Sequence, residues 1–263
     1  MYVSVAELDK RISPNDHMLT ANEEAYFRTS LSATNAILAM TSLSGLDRNK
    51  VRRALDFGCG YGRVLRGFAP AFPQASVTAC DLMANAVSYC VETFGAVPLQ
   101  GHENLGDIAP TAPFDVIWAG SVLTHLRPLH WHETLEFFAS RLADDGVMVF
   151  STHGRTAFWV FQQTLAKRVN QMSPEAFEQA KVDYKRNGYA FVVYSAKHGR
   201  SLDRIGITVT EGKYGLSFTS PAWIAKYMEG FPALFITGLC EGGWGNNHDI
   251  VAIKKPKLRR DVL

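Results

Sequence analysis

From residue 53 onward the chain alternates short apolar runs with stretches whose apolar positions recur at helical spacing. The runs predict strands at 53–57, 76–80, 96–99, 114–119 and 147–152, and the stretches between them predict helices at 63–68, 83–94 and 129–142. A helix between successive strands carries the chain back to the same end of a sheet, so the pattern predicts parallel strands covered by helices, an α/β fold. Ahead of it, Tyr26, Leu31, Ala36, Ile37, Leu38 and Met40 recur at mostly helical spacing within 21–46 and stop near Gly45, predicting a helical cover over 1–50. The end of the chain reads differently. Pro221 opens a helix through 229, and the apolar runs 234–239 and 249–253 are joined directly by the glycine-rich turn EGGWGNNH, which predicts an antiparallel hairpin.

Between these parts, residues 154–215 form a connection too long for an ordinary loop and too aromatic for a disordered one. Helical patterns at 158–169 and 174–185 and the run GYAFVVYSA predict an inserted cap. The organisation that follows is a cover (1–50), a core (51–153 and 216–255), a cap (154–215) and a basic tail (256–263).

Composition narrows the function. With 263 residues, 47% hydrophobic and 20% charged, the chain can bury a full core. A net charge of +2 supplies no overall field for nucleic acid or an anionic membrane, and neither is expected as a partner. The first residues lack a charged-then-apolar leader pattern, and no apolar run approaches the ~20 residues that span a bilayer, so a cytoplasmic protein is expected. Cys59, Cys80, Cys90 and Cys240 form no CxxC pair and read as reduced thiols, and no metal site is expected.

The sharpest signal is ALDFGCGYGRVL at 54–65, a hydrophobic strand that runs into Gly58, Gly60 and Gly62 and then a helical pattern. Glycines there let the backbone turn tightly and approach a ligand at the strand's carboxyl end. Asp81, closing the second strand in SVTACDL, is placed to accept hydrogen bonds from both hydroxyls of a ribose. The glycines read GxGxG after Asp56, whereas a dinucleotide site wants GxGxxG. A carboxylate at that point suits a cationic ammonium and opposes a pyrophosphate.

The segment resembles the first motif of class I S-adenosylmethionine-dependent methyltransferases. The resemblance extends to PFDVIWAGSVLTHL (113–126), DDGVMVFSTHG (144–154) and the closing hairpin, covering residues 51–153 and 216–255. It implies a Rossmann-like sheet of seven strands with the last antiparallel, S-adenosylmethionine as cofactor, and methyl transfer to a small-molecule acceptor, oxygen before nitrogen. YFRTSLSA, YGLSFTSPAW and EGGWGNNHDIVA point further to a bacterial subgroup of small-molecule enzymes associated with saccharide or secondary-metabolite modification. By the same resemblance Asp56 holds the cofactor's amino group, and Gly58, Cys59, Gly60, Gly62 and Arg63 lie along its methionine and ribose. Asp81 and Leu82 meet the ribose side, and Gly120 and Ser121 follow the fourth strand. Independently of the resemblance, a phenol and a guanidinium make Tyr26 and Arg28 candidates to close over a carboxylate at the methionine end, the alternative being a helix packed on the core through Tyr26 with Arg28 solvated. The family's acidic adenine ligand has no clear counterpart in LQGHENLGDI; Asn104 is the candidate, with Glu103 and Asp107 as rivals. No [DN]PP[YF] follows the fourth strand, which argues against methylation of nucleobases.

Methyl transfer to a hydroxyl needs alignment, exclusion of water and removal of a proton. His125, just past the fourth strand, and His153, closing the fifth, face the edge where parallel-sheet sites form and are the candidate bases; for each the alternative is packing. Tyr214, Trp244 and His248 are candidates for the acceptor wall, the alternative being a brace for the hairpin, and Trp223 shares that ambiguity. His130 and His132 read as surface residues. Oligomeric state is left open, a homodimer included. The competing functions are a non-catalytic S-adenosylmethionine-binding protein and an NAD(P)-dependent oxidoreductase.

Overall fold

The structure, a computed structural model, describes residues 2–19, 22–164, 172–195 and 214–257. Parts of the expected cap (165–171 and 196–213) and residues 258–263 of the basic tail lie outside the described residues.

A seven-stranded sheet forms the body in the order β3-β2-β1-β4-β5-β9-β8. Its strands are β1 (Arg53–Phe57), β2 (Ser76–Asp81), β3 (Val97–Gln100), β4 (Phe114–Ala119), β5 (Leu142–Thr152), β8 (Phe235–Trp244) and β9 (His248–Lys254). β1 to β5 are mutually parallel, and β9 enters antiparallel to both β5 and β8. The reversed strand expected from the closing hairpin is therefore present. It exists because β8 and β9 are joined by a turn at Trp244 to His248 too short for a crossover.

The helices are α1 (Glu23–Leu43), α2 (Phe68–Ala71), α3 (Ala84–Phe94), α4 (Pro128–Arg141), α5 (Arg155–Thr164), α6 (Pro174–Asn187) and α7 (Pro221–Met228). Strand alternation sends Val116, Trp118, Val147 and Val149 to a core shared with α1 and α2, and Ile117, Ala119, Met148 and Phe150 to one shared with α4 and α7. Both faces of the central strands are thus buried, which is why they read as continuous apolar runs.

The structure departs from the sequence reading in three places. The helix expected at 63–68 is instead a tight turn, a 3-10 turn at Leu65–Gly67 and the four-residue α2. The Gly67 N–H bonds three residues back to the Val64 carbonyl, which tightens the chain to 3-10 there, and Pro70, inside α2, has no N–H to return to the Arg66 carbonyl. β5 starts at Leu142 rather than 147, directly from α4, because Asp145 N–H and Lys255 N–H exchange bonds with the Lys255 and Gly146 carbonyls. Third, β6 (Tyr189–Val193) pairs antiparallel with β7 (Gly215–Thr219) in a separate two-stranded ribbon, so 215–219 lie with the intervening segment and not in the main sheet. That segment has its own core of Phe158, Phe161, Met172, Phe177, Leu216 and Phe218.

Arg66, which the sequence reading passed over, ties the amino-terminal cover to the body. Buried at 3% exposure, it donates to the carbonyls of Asp9 and Arg11 (2.8 and 2.9 Å), Gly62 (3.1 Å) and the Tyr26 hydroxyl (3.1 Å). Tyr26 in turn donates to Asp16 at 2.5 Å. Beside this knot α1 packs so closely that a Cβ on Gly67 would lie 1.9 Å from Thr34 Oγ1.

Replacing Arg66 by Ala takes their donor from the part-buried carbonyls of Asp9 and Arg11 and from the buried Tyr26 oxygen, at ~1–3 kcal/mol each before relaxation, while the Gly62 carbonyl keeps the main-chain N–H of residue 66. Arg66→Ala is expected to lose on the order of 3–5 kcal/mol in denaturant unfolding, and Arg66→Lys to recover little of it, because one ammonium cannot span the guanidinium's fork.

Candidate active site

The sheet order reverses between β1 and β4, which opens a crevice at their carboxyl ends. Asp56, Gly58, Cys59, Gly60 and Gly62 leave β1 there, and Asp81 closes β2 beside them. The glycines all take positive φ (78°, 51° and 78°). A Cβ on Gly62 would strike Phe94 at 2.4 Å and one on Gly58 would strike Val122 at 2.7 Å, while at Gly60 nothing lies within 4 Å. The loop is therefore pressed against protein at its ends and faces open space at its centre. Cys59 and Cys90 both direct their thiols at the Gly60 carbonyl (3.4 Å each), so Cys59 fastens the loop from below.

Two carboxyl groups line this cradle. Asp81 accepts the Gly60 N–H on one oxygen (2.7 Å) and the Met83 N–H on the other (3.0 Å), with its carboxyl raised by burial. Each oxygen keeps a lone pair for a ligand. Asp56 is 2% exposed, its Oδ2 has no hydrogen-bond partner, and burial first and Asp81 second push its carboxyl up to about 8. An uncompensated buried acid beside an open backbone cradle is what a cationic ligand would complete. Arg63 is half-buried close by, its guanidinium lowered by burial and facing the charges of Tyr26 and Asp16. These residues fit a nucleoside cofactor carrying an amino acid group.

The remaining cofactor candidates are placed unevenly. Leu82 is exposed at the rim of the cradle. Asn104 caps a 3-10 turn through the Gly106 N–H (3.2 Å), and the Gln100 side chain, unmarked by the sequence reading, holds the neighbouring loop through the carbonyls of Asp81, Leu82 and Gly101. Gly120 lies against the Trp118 ring, where a Cβ would be 2.7 Å away. Ser121 adopts a positive φ of 58°, and its N–H donates to Ser151 Oγ at 2.8 Å. Tyr26 is committed to Asp16 and Arg66, and Arg28 pairs with Glu24 on the surface.

Beyond the cradle the fold gathers the three histidines that the sequence scattered over 124 positions. The ring of His153 is 6.3 Å from that of His125 and 4.8 Å from that of His248. Tyr214 stacks on His125 at 4.7 Å, its phenol raised by burial. Tyr194, which the sequence reading saw only within an aromatic run, brings its hydroxyl within 3.0 Å of His125 Nδ1, and the Gly215 carbonyl lies 2.9 Å from the same nitrogen. His248 Nδ1 faces Ser151 Oγ (3.3 Å) and Ser121 Oγ (3.5 Å); burial, then the charges of His125 and Arg63, pull its pKa down to about 4. Trp244 touches His248 edge-on but spends its N–H on the Thr29 carbonyl (3.0 Å), bracing the hairpin to α1. Trp223 stacks between Tyr189 and Tyr227. His132 pairs with Glu136 at the surface. Among the described residues no group of His, Cys, Asp and Glu is arranged to hold a metal ion, and no helix is long and apolar enough to cross a membrane.

Comparison with known proteins agrees with this geometry. The profile of the methyltransferase-domain family matches residues 32–222. A malonyl-[acyl-carrier protein] O-methyltransferase of Halalkalibacterium halodurans is 30% identical over 132 residues, 48% of this chain and 48% of that protein. The protein of the same name from Acetivibrio thermocellus is 24% identical over 153 residues, 57% and 52%. The chain spans about half the length of the curated relatives it matches. Among solved structures, the magnesium protoporphyrin IX methyltransferase of Synechocystis with bound S-adenosylhomocysteine superposes with a TM-score of 0.53 at 13% identity, covering 91% of this chain and 90% of that one. DesVI of Streptomyces venezuelae gives 0.52 at 14%, covering 94% and 100%. The fold is that of the class I S-adenosylmethionine-dependent methyltransferases. The chain belongs to the methyltransferase-domain family, and S-adenosylmethionine is its cofactor.

Two measurements check the cradle. Gly60→Ala places a methyl group in the open centre of the loop, and Asp81→Ala removes both carboxylate oxygens; each is expected to weaken S-adenosylhomocysteine binding at least ~10-fold in calorimetry while the circular dichroism of the fold is kept. Asp56 governs a pH effect. Its folded pKa is raised above the unfolded ~4, so its stabilising contribution is complete below that value and is lost as pH rises through about 8. At about 1.4 kcal/mol for each pH unit crossed between the two values, the ligand-free protein is expected to lose a few kcal/mol on going from pH 5 to 9, and Asp56→Asn to flatten that slope.

Proposed function

We propose that the protein transfers a methyl group from S-adenosylmethionine to a hydroxyl of a small molecule bound against the histidine and tyrosine wall. The observation that carries this reading is His125: it closes the 3-10 turn Leu123–His125 that follows β4, with Nδ1 on the Gly215 carbonyl. A carbonyl only accepts, so Nδ1 carries the proton and the lone pair sits on Nε2, the state a general base needs.

In this reading Asp81 receives the ribose hydroxyls, Asp56 the ammonium group and Arg63 the carboxylate of the cofactor. Gly58, Gly60 and Gly62 admit its backbone-hugging methionine portion, Leu82 and Asn104 lie toward adenine, and Gly120 and Ser121 border the reacting end. Bound S-adenosylmethionine supplies an electrophilic methyl group whose carbon–sulfur bond breaks, with its electron pair kept on sulfur, as the carbon–oxygen bond forms. His125 Nε2 takes the hydroxyl proton. Tyr214, Tyr194 and His153 wall the acceptor from water, which strengthens the pull between base and hydroxyl. Aromatic lining favours an acceptor with an apolar or ring face, in keeping with secondary-metabolite or saccharide chemistry. That the relatives are malonyl-[acyl-carrier protein] O-methyltransferases supports oxygen as the receiving atom. An acceptor of that acidity is already ionised and needs no base.

Calorimetry with S-adenosylmethionine, S-adenosylhomocysteine and NAD in parallel is expected to show binding of the first two alone. Formation of S-adenosylhomocysteine over a panel of phenols, saccharides and carboxylic acids then identifies the acceptor class. With a hydroxyl acceptor, His125→Ala is expected to lower kcat ~100-fold or more without changing cofactor affinity. An undiminished rate would transfer the assignment to an ionised acceptor; absence of S-adenosylhomocysteine formation with every acceptor in the panel would favour the non-catalytic reading.

A further inference from the structure

Two of the histidines are held by groups of opposite hydrogen-bonding character. At His125 the partner is the Gly215 carbonyl, 2.9 Å from Nδ1, which accepts and never donates, and the Tyr194 phenol oxygen lies 3.0 Å from the same nitrogen. The cap ribbon β6–β7 contributes the carbonyl, and Tyr194 follows its first strand. At His248 the partner is Ser151, a fully buried hydroxyl at the end of β5. The Ser151 oxygen already accepts the Ser121 N–H at 2.8 Å, and His248 Nδ1 at 3.3 Å is the acceptor within reach of its own proton. A buried hydroxyl that fails to donate costs ~1–3 kcal/mol, so Ser151 donates and His248 Nδ1 accepts.

We propose that the neutral imidazoles of His125 and His248 are fixed in opposite tautomers, Nδ1–H and Nε2–H, so that one accepts the acceptor's proton while the other donates a hydrogen bond to the acceptor. Gly215 and Ser151 act as the positioning groups, one from the cap and one from the sheet. Ser121, with its positive φ, is part of the device, because its N–H takes one of the two Ser151 lone pairs and leaves the serine proton to be donated elsewhere, toward His248. The low pKa of His248, near 4, keeps that ring neutral across the working range, a donor N–H and not a cation beside the sulfonium. The assignment deepens the methyl-transfer reading and rests on it for the roles; the tautomers themselves are a property of the ligand-free protein.

The test is long-range proton–nitrogen correlation spectroscopy on the full chain with nitrogen-15-labelled histidine at pH 7.5, the resonances assigned with His125→Gln and His248→Gln. His125 is expected to show a protonated Nδ1 and an unprotonated Nε2, and His248 the reverse pattern. Ser151→Ala is expected to shift His248 toward a tautomer mixture while leaving His125 unchanged, and Ser151→Thr, which keeps the hydroxyl, to restore the wild-type pattern. The same tautomer at both rings, or a His248 pattern indifferent to Ser151→Ala, overturns the proposal. Because this readout involves no cofactor and no turnover, its failure is separate from failure of the cofactor titration, which tests the methyl-transfer reading.

Discussion

The buried guanidinium of Arg66 is the constraint on which the cofactor side of this molecule depends. It bonds the amino-terminal segment, α1 through Tyr26, and the Gly62 carbonyl of the loop after β1. A cation removed from water is tolerated only when its donors are satisfied, and here the satisfying groups come from three separate stretches of the chain. The cover therefore braces the cradle, and the glycine loop after β1 is held from behind by a charge and from below by the Cys59 and Cys90 thiols.

A second constraint follows from sheet order. The reversal between β1 and β4 leaves the carboxyl ends of the central strands without a crossing helix, so residues that end β1, β2, β4 and β5 must share one crevice. The antiparallel entry of β9 then brings the beginning of a strand, His248, to the same edge as the ends of its neighbours. Three imidazoles converge there for a topological reason, and the β6–β7 ribbon adds the groups that orient one of them. The three imidazoles and the aromatic rings around them thus come from the body and the cap together, while the charged cradle belongs to the body alone.

Much of this was legible in the chain. The period of apolar positions marked the strands β1, β2 and β4 almost to the residue, because strands buried on both faces leave no polar interruptions. The GxGxG loop and Asp81 were legible because a backbone that bends to positive φ three times needs glycine, and a carboxylate at a strand end serves a ligand more readily than a core. Arg66 was not: an arginine four residues after the last glycine reads as the solvated face of a helix, and only the packing of α1 and residues 9–11 over it made it central. The irregular turn at 63–67 escaped as well, since its apolar spacing is helical while its Gly67 N–H bonds three residues back and not four. Ser151 and Tyr194 carried no spacing signal, and their importance lies in what stands opposite them.

The sequence by itself determined the class of fold, the cofactor loop and the positions of the candidate histidines, since periodicity, glycine content and residue chemistry are local properties. Tertiary structure alone decided that His125, His153 and His248 meet, that Tyr26 serves Arg66 and Asp16, that Asp56 is a buried acid with an open oxygen, and which nitrogen of each imidazole is bonded. Those outcomes depend on partners far apart in the chain, and hydrogen bonding and burial take their value only once the partners are brought together.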